Sequence, residues 1–150
     1  MSDTRAPEGY RSFGGNGGFV SVAGPFFYRE RRDDDLPNVF HYGFRSTETH
    51  RNTNGVVHGG ALVTFADSAL GATVHRAAER SCATISLNSE FVSAAEPGSW
   101  IDAVVEITDM KRSVAFARCT LSENGKILLT ASGIWKLFKP GAPGRENPSV

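Results

Sequence analysis

One stretch of this 150-residue chain has a helical pattern, and everything after it reads as strand. From about His58 to Arg80, Leu62, Phe65, Ala66, Ala69 and Thr73 recur at spacings of three and four. Val63, Leu70 and Val74 cover much of the remaining surface. A helix apolar on most sides is enclosed by its fold rather than laid on it. The segments around it must therefore form the enclosure.

Those segments suit that task. "GPFFYRE" (Gly24–Glu30) and the aromatic, β-branched "VFHYGFRSTETH" (Val39–His50) read as strands before the helix. Between them "ERRDDDL" (Glu30–Leu36) reads as a solvated charged turn. After the helix, "ATISLNSEFV" (Ala83–Val92) is expected to put Ile85, Leu87 and Phe91 on one face, with Thr84, Ser86, Asn88 and Glu90 on the other. "EPGS" turns the chain into "WIDAVVEITDM" (Trp100–Met110), and "SVAFARCTL" (Ser113–Leu121) follows. Asn124-Gly125 marks a hairpin into "ILLTASGIWKLF" (Ile127–Phe138). One buried helix and a run of antiparallel strands make an α+β layout. Its sheet edges need covering, which favours a dimer. Residues 1–18, with four glycines near their end, read as a loose arm; 19–138 form one folded domain; 139–150, "KPGAPGRENPSV", read as a tail.

Charge narrows the function. Sixteen Lys and Arg balance sixteen Asp and Glu, so no basic excess argues for nucleic acid or a membrane surface. No segment approaches the roughly 18 apolar residues of a membrane span, and the N-terminus lacks the apolar run of a signal peptide. Cys82 and Cys119 stand apart from any CxxC or Cys/His cluster and read as reduced core thiols of a cytoplasmic protein. The histidines form no HExxH, no serine sits in GxSxG, and no metal set or cofactor motif is visible.

The chemistry gathers in "NTNGVVHGGALVTFADSALG", Asn52 to Gly71. Gly59 and Gly60 open the helix, where unpaired N–H groups and the positive dipole end face outward. Glycine there lets a substrate atom approach the backbone, as a carbonyl-polarising site requires; equally, the pair can simply turn the chain. Asp67 has Phe65, Ala66, Ala69 and Leu70 as neighbours, which suits a desolvated base, although it can also occupy a wet stripe with Thr64 and Ser68. Eight residues of helix separate Gly59 from Asp67 by roughly 12 Å. They cannot serve one carbonyl within one chain, so cooperation needs a two-fold dimer with antiparallel helices. Asn52 can donate to a carbonyl or merely shape the turn, and His58 can hold that turn or touch substrate. Thr84 can help hold a water. Lys111 and Arg112, at a bend between strands, can meet the phosphates of a nucleotide-like carrier or do nothing specific.

"HRNTNGVVHGGALVTFAD", His50 to Asp67, resembles the hotdog-fold acyl-CoA thioesterases, in particular the phenylacetate-pathway branch. Their pattern is H-x-N-x-x-G-x-x-H-G-G with Asp eight residues after the first glycine of the pair. The later strands look similar too, so the resemblance spans roughly residues 20–138. It implies a curved antiparallel sheet around one long helix, assembled as dimers or dimers of dimers. It further implies that Asn52 and the Gly59 N–H polarise a thioester carbonyl. Asp67 of the partner subunit then activates water or attacks directly, Thr84 positions the water, and His58 supports Asn52, with no cofactor. The expected reaction is hydrolysis of an acyl-CoA to a free acid and CoA. Two rivals use the same fold, a non-catalytic acyl-CoA-binding protein and an enoyl-thioester hydratase or dehydratase. The first usually carries a DNA-binding segment, and the second pairs a His with an acid.

Overall fold

The computed structural model describes residues 6–14 and 18–141. Four short elements come first: β1 (Tyr10–Phe13), α1 (Gly18–Ala23), β2 (Phe26–Arg29) and β3 (Val39–Arg45). The long helix α2 (Gly59–Ala78) follows, and then β4 (Cys82–Phe91), β5 (Trp100–Met110), β6 (Val114–Glu123) and β7 (Lys126–Leu137). The strands form one antiparallel sheet in the order β1-β2-β3-β5-β6-β7-β4. This is the hotdog arrangement, with the sheet curled around α2.

Small side chains set how closely the helix sits. Ala103 of β5, Ala115 and Ala117 of β6 and Ala131 of β7 are buried, as are Ala66, Ala69 and Ala72 of α2. Larger groups close the ends. Phe26, Phe44 and Phe65 pack with ring centroids 4.7 to 5.4 Å apart at one end, and Trp135, wholly buried, lies against Gly71 on the other side. Inside the helix Thr73 donates to the carbonyl of Ala69 and shares a hydrogen bond with the Tyr42 hydroxyl, both at 2.8 Å, so its polar atom enters the core with partners.

The sheet departs from the sequence expectation in two places. First, the supposed loose arm supplies β1, which pairs with β2 and extends the folded unit beyond residue 19 to Tyr10. Phe13 inserts beside Phe26 and Tyr42, and Tyr10 sets its ring edge-on to Trp100 with its hydroxyl 3.3 Å from Asp102. These two anchors are dispersed among glycines and charges, so no strand pattern announces them. Residues 1–5, 15–17 and 142–150, which include most of the expected tail, lie outside the described residues.

Second, the phase of β4 changes. A bulge between Thr84 and Ser86 inserts one extra residue. It turns Ile85 outward, 57% exposed, and brings Thr84 onto the helix side together with Leu87. Gly133 makes this possible, because a Cβ there would stand 2.5 Å from the Ser86 carbonyl. The charged turn is exposed, as expected, and is tied to itself by hydrogen bonds. Arg31 donates to the carbonyls of Leu36 and Val39 at 2.8 and 2.9 Å. Asp35, its side chain only 10% exposed, pairs with Arg29 and accepts the Arg32 N–H.

The Arg29 hydrogen bond, followed by the Arg32 N–H, holds the Asp35 carboxyl down to about 2. A lowered folded-state pKa stabilises above the ordinary carboxylate range, and that contribution disappears as pH falls toward 2. Asp35→Asn is therefore expected to melt below the native protein at pH 7. The gap between their melting temperatures should shrink steadily between pH 4 and pH 2. A gap that stays constant across that range would show that the ion pair contributes nothing.

Candidate active site

The site begins in the loop that leads from β3 to α2, and His50 organises it. Thr47 opens a short 3-10 turn (Glu48–His50), and its backbone N–H donates to His50 Nδ1 at 2.9 Å. With Nδ1 accepting, the ring proton sits on Nε2 and is given to the carbonyl of Ala23 at 2.6 Å. The ring packs edge-on against Phe44, and the residue's carbonyl accepts the His58 N–H at 2.7 Å. One buried imidazole thus ties α1, β3 and the entry to α2 together. The sequence motif contained His50, but the apolar and polar patterning gave no sign of this role.

Asn52 shapes the turn that follows. Its Oδ1 accepts the N–H groups of Asn54 and Val56 at 2.9 and 3.2 Å. Its backbone pairs with Val56 and Gly55, and Gly55 adopts φ 85, a conformation suited to glycine. Two N–H donors on one amide oxygen fix which end of the carboxamide is which. The Nδ2 end is left to donate elsewhere. The structural and the chemical reading of Asn52 are therefore compatible, because they use different atoms.

The helix start divides its donors in a similar way. His58 caps α2 from an extended conformation, and its Nδ1 accepts the Gly60 N–H at 2.8 Å. The His58 carbonyl takes the N–H groups of Ala61 and Leu62. Of these first donors, Gly59 alone has no acceptor among the described residues. Gly60, expected as a substrate contact, thus spends its N–H on the cap, and its missing Cβ leaves room for the His58 ring 2.9 Å away. At Gly59 the position a Cβ would take is 2.8 Å from the ring of Phe91, which covers that end of the helix.

Asp67 lies two turns further along, half-buried, on the side of α2 that faces β4. Thr84 Oγ1 donates to its Oδ1 at 2.8 Å, a contact that the bulge in β4 makes possible. Cys82, nearby on the same strand, is a spectator. Burial first, and then the charge of Asp67, push its thiol up to about 11. Cys119 is buried in the core. Lys111 and Arg112 occupy the exposed turn between β5 and β6. Lys111 pairs with Asp109 at 2.8 Å, and the Arg112 carbonyl accepts from the Arg80 guanidinium at 2.7 Å. The sequence reading passed over Arg80, which follows α2.

Two half-sites result. The Gly59 N–H opens the helix, with the Asn52 turn in the loop before it; Asp67 and its partner Thr84 lie roughly 12 Å further along the helix. Neither half touches Lys111 or Arg112. Among the described residues no three His, Cys, Asp or Glu side chains gather as a metal set, and no helix is long and apolar enough to cross a membrane.

The sequence model of the thioesterase superfamily matches residues 54–128, from the Asn52 turn through α2 and on to β7. This chain belongs to the thioesterase superfamily. A relative in Pseudomonas aeruginosa, PA0474, provisionally named an esterase, is 29% identical over 133 residues, covering 87% of this chain and 96% of its own. Two solved members show the same fold. A variant of the phenylacetic acid degradation protein PaaI from Thermus thermophilus superposes with a TM-score of 0.68 at 18% identity, over 79% of this chain and 97% of its own. A hypothetical thioesterase from Streptococcus pneumoniae, solved with coenzyme A, gives 0.67 at 16% identity, over 75% and 85%.

The geometry of this superfamily member makes His50 a test of the loop. Replacing it by Ala strips partners from the Thr47 N–H and the Ala23 carbonyl and leaves a void beside Phe44. His50→Ala is expected to lose about 2 kcal/mol of unfolding free energy, the scale of a buried polar group left unsatisfied. Urea denaturation checks this; an unchanged midpoint would mean that the loop holds without its imidazole.

Proposed function

We propose that this chain hydrolyses an acyl-CoA thioester to the free acid and CoA, in a site completed by two copies of the chain. The observation that carries the reading is the division of donors at the helix start. His58 occupies the Gly60 N–H and the turn occupies Asn52 Oδ1, which leaves the Gly59 N–H and Asn52 Nδ2 without acceptors among the described residues. Two such donors near a positive helix end would suit the oxyanion that forms when a thioester carbonyl is attacked.

The pairing of copies follows from landmarks on β4. This strand ends the sheet order, so its outer edge is unpaired. Phe91 marks Gly59, and Thr84 marks Asp67. If two β4 edges pair antiparallel about a two-fold axis between Leu87 and Asn88, Thr84 falls opposite the partner's Phe91. Asp67 of one copy then approaches the Gly59 end of the other, and two equivalent sites result. Exposed Ile85 on that edge would be covered.

In this arrangement Thr84 holds Asp67 Oδ1, and Oδ2 takes a proton from water. The hydroxide adds to the carbonyl carbon, and the oxyanion rests on Gly59 and Asn52. Collapse breaks the C–S bond, and the thiolate of CoA leaves and is protonated. Antiparallel helices also bring the partner's Lys111, Arg112 and Arg80 to the side from which a CoA arm would extend, where they would meet its phosphates. The coenzyme A bound to the streptococcal protein supports this choice of carrier. The reduced thiols suit a cytoplasmic setting.

Release of free thiol from a panel of acyl-CoAs is the direct test. Turnover is expected on at least one aromatic or medium-chain thioester, with a loss of about 10²-fold or more in Asp67→Asn. Mixing Asn52→Ala with Asp67→Asn subunits tests the shared site. Each hybrid dimer regains one intact site, so random mixing should restore about a quarter of native activity. No recovery from freely exchanging subunits would place both residues in sites within a single chain.

A further inference from the structure

We propose that Phe91 is a specificity-determining residue, a wall against the first carbons of the acyl group that selects apolar acyl thioesters over charged ones. The inference rests on the thioesterase reading above and adds a residue and a substrate class to it.

Phe91 is held outside the core, at the start of the helix. Its neighbour across the sheet, Leu129, is buried, whereas Phe91 itself is 60% exposed. Its ring is therefore not spent on the core. It stands over Gly59, with Cε1 and Cζ at 2.8 and 3.3 Å from where a Cβ would be. That is the residue whose N–H remains free.

A carbonyl oxygen resting on this N–H has its carbon within a few ångströms of the ring, and the acyl substituent begins there. The nearest acid in sequence, Glu90, alternates to the opposite face and is engaged by Thr130 at 3.0 Å. Among the described residues no Lys or Arg stands over the ring. A hydrocarbon or aryl group gains by covering this surface, whereas an acyl carboxylate would lose water without a counter-charge.

The test compares hexanoyl-, benzoyl-, acetyl- and succinyl-CoA in the native dimer, Phe91→Ala and Phe91→Leu. For hexanoyl and benzoyl, Phe91→Ala should lower kcat/KM about tenfold or more, chiefly through KM, while acetyl changes by about threefold at most. Phe91→Leu should recover hexanoyl turnover. Succinyl should be the poorest native substrate and should lose nothing further. An equal loss for all four thioesters, or none, overturns the proposal. So does a Phe91→Ala protein that runs as a monomer in sizing and stays inactive as Phe91→Leu, since the ring would then serve the subunit contact alone.

Binding separates this proposal from the catalytic reading. A ketone analogue of hexanoyl-CoA, with a methylene between sulfur and carbonyl, cannot be hydrolysed. It should bind the native protein more tightly than CoA does, and Phe91→Ala should erase that advantage. If the native protein cleaves nothing yet shows this difference, the catalytic reading fails and the Phe91 assignment stands. If the difference is absent, the assignment fails whatever the activity.

Discussion

A helix enclosed by a sheet still has to find acceptors for the N–H groups of its first turn. In this chain that requirement shapes the site. Burying α2 on most of its sides leaves the N-terminus as the place where its dipole meets solvent. Local groups answer part of the demand, the His58 ring for Gly60 and the His58 carbonyl for Ala61 and Leu62. The Gly59 N–H remains, and Gly59 has no side chain to cover it. A donor left over by the packing of the helix is thus available to a ligand.

The loop before the helix obeys the same economy of polar atoms. Asn52 uses its oxygen for the turn and retains its nitrogen. His50 uses both ring nitrogens and its carbonyl for structure and retains nothing. The distinction matters for reading motifs, because both residues belong to the same sequence signature. Hydrogen-bond partners, atom by atom, separate the residue that holds the site from the residue that can act in it. By this criterion Gly60 moves from the substrate side to the structural side.

Much of this was legible in the sequence, and the unread parts have physical causes. The apolar faces of α2, β5, β6 and β7 follow simple periods because each packs one continuous surface against the other. Strand β1 was missed because its anchors, Tyr10 and Phe13, act through single long-range ring contacts rather than through a pattern. The faces of β4 were misassigned because alternation assumes an unbroken pleat, and the bulge at Ile85 is enabled by Gly133 on the neighbouring strand. No feature within β4 itself encodes that bulge. Asp67 and Gly59 stood out as candidates because glycine pairs and lone acids are conspicuous in an apolar helix, and Asn52 joined them through the motif it shares with the family. The division of work among Asn52, His58 and Gly60 was not legible, since it depends on which donor reaches which acceptor.

The bulge also links the fold to the chemistry. Without the extra residue, Thr84 would face away from α2, and Asp67 would lose its hydroxyl partner. With it, Thr84 fixes one carboxylate oxygen and leaves the other free, while Ile85 is turned out at the sheet's open edge. An exposed isoleucine on an unpaired edge is a liability in an isolated chain. It becomes an asset if a second β4 pairs there, since the same displacement that orients the acid then supplies apolar contact between copies. Orientation of Asp67 and covering of the edge would thus be two consequences of one inserted residue. A change that repaired the pleat, such as a side chain at Gly133 that excludes the bulge, would disturb both together.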